Sequence, residues 1–213
     1  MTATPKSRWG RQAFRMAAGA VMGAAASIAF MELVGKSRLD TDDPGVVVAM
    51  IAGLRYGAMG LFVGLGVLAP RQGAMFLNVE DAEEIREQRA TLWPSAVACM
   101  LIGMFMLVLA LAPEGEGSGR TGWALGAGAC LAGAWAVALA TRGRTDELLR
   151  QVSLEASALT LHIALLGLSL WGLLSHLGFV AWMSPLTLVA GLALLYLAAI
   201  FWSAGRKGLM ANR

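Results

Sequence analysis

Chemistry-bearing residues are scarce in this sequence. Two cysteines and two histidines occur in 213 residues, and neither pair has the spacing of a ligand set. Cys99 and Cys130 lie in separate apolar runs, so no paired redox or metal motif is formed; they read as small packing residues. His162 and His176 lack the neighbouring Cys, His or carboxylate of a zinc or haem site. No glycine-rich phosphate loop, nucleophile elbow or paired catalytic motif appears. Charge is thin as well, at 15% of residues, and no long polar or low-complexity segment exists from which to build a separate soluble domain. The expectation is a chain with no cofactor, no metal and no enzymatic site, whose formal net charge of +3 needs no nucleic acid to explain it.

What the sequence has instead is apolar length. Hydrophobic residues make up 57% of it and mean hydropathy is +0.64, more than a soluble domain of this size can bury. The apolar residues fall into six runs near the ~20 residues needed to cross a bilayer: approximately 14–34, 45–69, 93–112, 121–141, 154–174 and 180–203. The expected fold is all-α, a single polytopic bundle over residues 1–213 built as three helical hairpins. The competing reading of the first run as a cleaved signal peptide leaves the apolar segment 27–34 stranded after a cut at Ala24-Ala25-Ala26.

Thirteen of the seventeen Lys and Arg residues fall at the N-terminus, in the loops after runs two and four, and in the tail. Lys36, Arg38 and Arg120 alone fall on the other side. Cytoplasmic loops retain positive charge, so both termini are expected to be cytoplasmic. Tryptophans prefer the interface, and they agree: Trp9, Trp93 and Trp202 fall at one boundary, Trp123, Trp171 and Trp182 at the other.

The second and third hairpins share a plan, an acidic amphipathic helix start leading into a span. Asn78 and Thr145 are candidate N-caps. Glu83 with Arg86, and Asp146 with Arg150, have the spacing of pairs on one helix face. Pro94 sits near the start of span three, as a first-turn residue or a kink. The stretch "DELLRQVSLEA", followed by two spans of which the second opens with Trp182 and Pro185, resembles small bacterial two-span inner-membrane proteins. That resemblance implies a membrane hairpin and no particular activity.

Span two holds the most informative stretch, "GLRYGAMG" at 53–60. Gly53, Gly57, Gly60 and Gly64 form a narrow stripe on a helix, and such faces let two backbones approach closely in lipid. Arg55 lies on the far side of that stripe at mid-depth. A permanent cation there must find a carboxylate, reach the interface or face water, and Glu32 and Glu155 are the candidate partners. In span five Gln151, Glu155, His162, Ser169 and His176 share one face. They read either as interhelical hydrogen-bonding groups or, with Glu32 and Arg55, as a polar path. Small residues in spans one (Gly19, Gly23, Ser27) and four (Gly122, Gly126, Ala129, Gly133) suggest that one, two and four pack together and that bulkier three, five and six face lipid. The twelve methionines do not recur as a paired motif on one face and read as packing residues. Two functions follow from these residues. One is a non-enzymatic scaffold or accessory subunit, surrounded by lipid and packing against itself or a membrane-protein partner. The other is a small-solute or proton-linked transporter.

Overall fold

The computed structural model describes residue 32 and residues 43–76, 82–112, 119–143 and 146–209. The chain divides into two compact units, Met1–Thr41 and Asp42–Arg213. The first expected span falls outside the described residues except for Glu32, which is helical and exposed. In the second unit the described residues form helices α1 (Pro44–Leu68), α2 (Pro70–Phe76), α3 (Ala82–Glu87), α4 (Arg89–Leu111), α5 (Arg120–Thr141), α6 (Glu147–His176) and α7 (Pro185–Arg206). Five of these, α1, α4, α5, α6 and α7, are long and apolar enough to cross a membrane.

The helix starts follow from local chemistry. Asp43 accepts from the Gly45 amide at 2.7 Å with Pro44 at the first helical position, and Ser184 accepts from the Thr187 amide at 3.2 Å with Pro185 in the same place. In both, a side-chain oxygen satisfies an orphan donor and proline supplies a preset φ. Asp146 caps α6 through the Glu147 amide; Thr145, the expected cap, lies outside the described residues. With Asp146 so engaged, Arg150 pairs with Glu147, at 3.4 Å. Arg86 pairs with Glu83 at 3.0 Å as the spacing predicts, whereas Asn78 lies outside the described residues. Pro94 is inside α4, beyond its first turn. At the end of α6 the chain reverses at Gly178, whose φ of +79° suits glycine. The Phe179 amide there bonds the Leu174 carbonyl at 2.9 Å, closing a Schellman turn.

α1 is the central element. It packs most extensively on α4, and also on α7; α5 packs on α4, and α6 on α7. Among the described elements α5 and α6 touch no other span. The row therefore runs α5–α4–α1–α7–α6. It is curved: the five residues 142–146 join Thr141 to Glu147, a reach of at most about 22 Å, whereas a flat row with four spacings of 8–10 Å would separate α5 and α6 by about 36 Å. α4 and α7 also meet, which closes the bend around α1.

This order corrects the expected placement of the spans. α5, the fourth run, does not pack on α1. α4, the bulky third run, does, because Gly103 interrupts its large side chains opposite the glycine stripe. A Cβ on Gly103 would lie 2.6 Å from the Gly57 nitrogen and 2.8 Å from the Gly53 oxygen. A Cβ on Gly60 would lie 2.7 Å from the Ala96 oxygen, and one on Gly53 2.8 Å from the Leu107 side chain. The stripe is not uniform: a Cβ on Gly57 would meet nothing within 4 Å, and on Gly64 only Ala96 at 3.8 Å. Backbone meets backbone at this contact, so dispersion and weak Cα–H···O contacts are gained where lipid offers no hydrophobic drive. Gly122 and Gly126 on α5 meet nothing within 4 Å, and Gly133 alone approaches α4, at Leu101.

The segment after α1 folds back. A Cβ on Gly73 would come within 2.5 Å of the Gly66 carbonyl oxygen, and Ile85 on α3 is fully buried.

Gly60→Ala and Gly103→Ala are expected to destabilise the protein in detergent by about 1–3 kcal/mol, the range of overpacking. Gly57→Ala and Gly126→Ala should stay within about 0.5 kcal/mol of wild type. Thermal unfolding of the four variants tests this, and equal tolerance of all four contradicts the backbone contact.

Candidate functional site

Among the described residues the polar groups of the membrane-spanning region are the candidates for a site, and the helices distribute them unequally. Tyr56 is the best satisfied. It is 4% exposed, and its hydroxyl donates to the Ala193 carbonyl on α7 at 2.8 Å. A buried tyrosine needs such a partner. The chain's other tyrosine, Tyr196, turns from α7 toward α6, where its hydroxyl is 3.4 Å from Ser153 Oγ. Tyrosine hydroxyls thus link α7 to α1 and to α6. Sequence reading passed over Tyr56, although its position beside Arg55 in an apolar run was the signal available.

Glu155 is half exposed and pairs with Lys207 Nζ at 2.8 Å. The same Nζ also reaches Gln151 Oε1 at 3.5 Å. These contacts tie the start of α6 to the end of α7. Lys207 was also missed, because it lies 52 positions from Glu155 in sequence and nothing local links them. As a half-exposed pair it contributes little to stability.

The rest of the α6 stripe turns outward. His162 is exposed, and its Nδ1 lies 2.6 Å from the Ala158 carbonyl of its own helix. Ser169 and His176 are exposed as well. Gln151 and Glu155 at the start of the stripe thus meet the end of α7, whereas His162, Ser169 and His176 further along are exposed. α7 stands between α6 and α1, so Glu155, His162 and Ser169 are not brought to Arg55.

Arg55 is partly buried. Its Nε is shut off from solvent and has no hydrogen-bond partner. The ion pairs among the described residues are Arg86–Glu83, Arg150–Glu147 and Lys207–Glu155, none of which uses it. A lone arginine at mid-depth costs on the order of 2.5–3.5 kcal/mol on insertion scales. Of the two expected carboxylates, Glu155 is committed to Lys207, and Glu32 belongs to the other unit of the chain.

Cys99 and Cys130 are free thiols. Among the described residues no three His, Cys, Asp or Glu side chains gather as a metal site. No protein family, curated protein or solved structure matches the chain. What the fold defines is an integral membrane protein with a helical bundle.

Tyr56→Phe is expected to lower stability by about 0.6–1.7 kcal/mol, the range for interhelical hydrogen bonds in lipid. Tyr196→Phe, losing a longer and more exposed contact, should cost less. Melting curves in one detergent compare them, and a larger loss for Tyr196→Phe contradicts the assignment.

Proposed function

We propose that this protein is a non-enzymatic integral membrane scaffold or accessory subunit that packs against itself or against a membrane-protein partner. The observation that supports this most is how the polar and small residues are turned. The centre of the unit is a backbone-to-backbone contact at Gly53, Gly60 and Gly103 that leaves no space for a solute between α1 and α4. His162 and Ser169 on α6, and Gly122 and Gly126 on α5, are exposed on the two edge helices. Polar and small residues on a membrane helix serve helix association when they meet another helix.

The same reading places the protein in a bacterial inner membrane as six spans in three hairpins, with both termini cytoplasmic. α4 with α5 and α6 with α7 are packed hairpins. Arg71, Arg86, Arg89, Arg142, Arg150, Arg206 and Lys207 all follow or precede the helix ends that this orientation puts inside, against Arg120 outside. The bacterial assignment rests on the resemblance of the α6–α7 segment. A small-solute or proton-linked transporter is the second reading, and the unpartnered Arg55 nitrogen is what favours it.

A photoreactive residue in place of Gly126 or His162, activated in native membranes, should give a protein adduct larger than one chain, while the same residue at Tyr56 should not. Adducts from none of these positions, together with solute flux through the purified chain in liposomes, would replace the scaffold by the transporter. In a background of Cys99→Ala and Cys130→Ala, a cysteine replacing Leu177 should be labelled from outside the cell and one replacing Gly143 should not. The opposite pattern inverts the topology.

A further inference from the structure

Arg55 lies eleven residues after Pro44 in a helix of 25, roughly midway across. At 100° per residue it stands about 160° from Gly53, which meets α4, and about 100° from Tyr56, which reaches α7. It therefore lies off the two faces of α1 that meet the described spans α4 and α7. Ile51, Ala58 and Met59 share its side of the helix, and none of them is fully buried. Its Nε makes no hydrogen bond, and no ion pair among the described residues uses its guanidinium. In the unit Asp42–Arg213 every described carboxylate lies at or near a helix end, and the one furthest into a span, Glu155, is held by Lys207. Arginine does not lose its proton in proteins, so this charge persists, and lipid tails supply no acceptor.

We propose, building on the accessory-subunit reading, that Arg55 is the attachment point for a transmembrane helix of a partner protein that carries an Asp or Glu at mid-depth. Charge complementarity selects this occupant. A neutral polar helix satisfies one N–H and leaves the charge, whereas a carboxylate neutralises the cation and accepts from the guanidinium fork, a geometry that arginine presents ready-made. Ala58, small and exposed on the same side, leaves room for a second helix backbone. The absence of such a carboxylate from the middle of the described spans makes the pairing selective for a helix that brings one.

The test uses the full chain in liposomes with a labelled synthetic helix of about 21 Leu and Ala residues, carrying one central Glu, or a central Gln in its control. Association is read by energy transfer. The Glu helix should bind at least about tenfold more tightly than the Gln helix. Arg55→Met should erase that preference, and Arg55→Lys should keep part of it. Moving the Glu two turns toward one end of the synthetic helix should also erase it, an arm that leaves the protein unaltered and so does not depend on any variant folding. Equal binding of the Glu and Gln helices to wild type, or a preference that survives Arg55→Met, overturns the proposal. A preference that emerges only after Glu32→Gln overturns it as well, since the chain's own carboxylate then holds Arg55. The accessory-subunit reading fails on a different result, the lack of adducts from Gly126 and His162 in native membranes.

Discussion

The close approach of α1 and α4 governs the rest of the described unit. In lipid, apolar side chains gain nothing by leaving solvent, so two helices hold together only through contact area and short-range attraction. Gly53, Gly60 and Gly103 remove the side chains that would keep the two backbones apart. Once α4 is seated on that face, Tyr56 points to α7 and its hydroxyl finds the Ala193 carbonyl. α7 then positions α6 through Tyr196 and Lys207. A change at the glycine contact thus reaches every other helix, while a change on α5 or α6 reaches one neighbour.

That arrangement sets what the molecule offers to its surroundings. Among the described spanning helices α1 is the most buried, and α6 has no residue buried within its most apolar stretch. Large side chains such as Leu166, Trp135 and Phe179 are 73%, 68% and 75% exposed; in a membrane, lipid covers such residues without penalty. The polar exceptions, His162 and Ser169, and the enclosed nitrogen of Arg55 are the groups that lipid does not satisfy. They are the basis for reading this chain as one component of an assembly.

Much of the fold was legible in the sequence, since span length is fixed by bilayer thickness. The runs 45–69 and 121–141 lie within a residue of α1 and α5. α6 begins at Glu147 rather than near 154, because its amphipathic start continues into the span without a break. α7 begins at Pro185, where Ser184 caps it, rather than at 180. What periodicity does not encode is which stripe meets which. Two helices carried small-residue faces of similar quality, yet α1 uses its own and α5 leaves Gly122 and Gly126 open. The complement to α1 was Gly103, a single glycine among Met, Leu and Phe that forms no stripe. For the candidate site the spacing set Glu155, His162 and Ser169 along one stripe of α6, a single continuous helix. It did not show which way the face turns, because that depends on α7, placed by contacts made elsewhere in the chain. Glu155 found Lys207 in the C-terminal segment, a pairing that no local pattern announces.

The central claim is that this chain works as part of a larger assembly. Its most direct test is the mass of the native particle: membranes are excised into polymer-bounded discs without detergent, and the protein content is weighed by native mass spectrometry. The account predicts particles heavier than one 22.3 kDa chain, containing either further copies or a second membrane protein. Particles holding a single chain and lipid alone would contradict it.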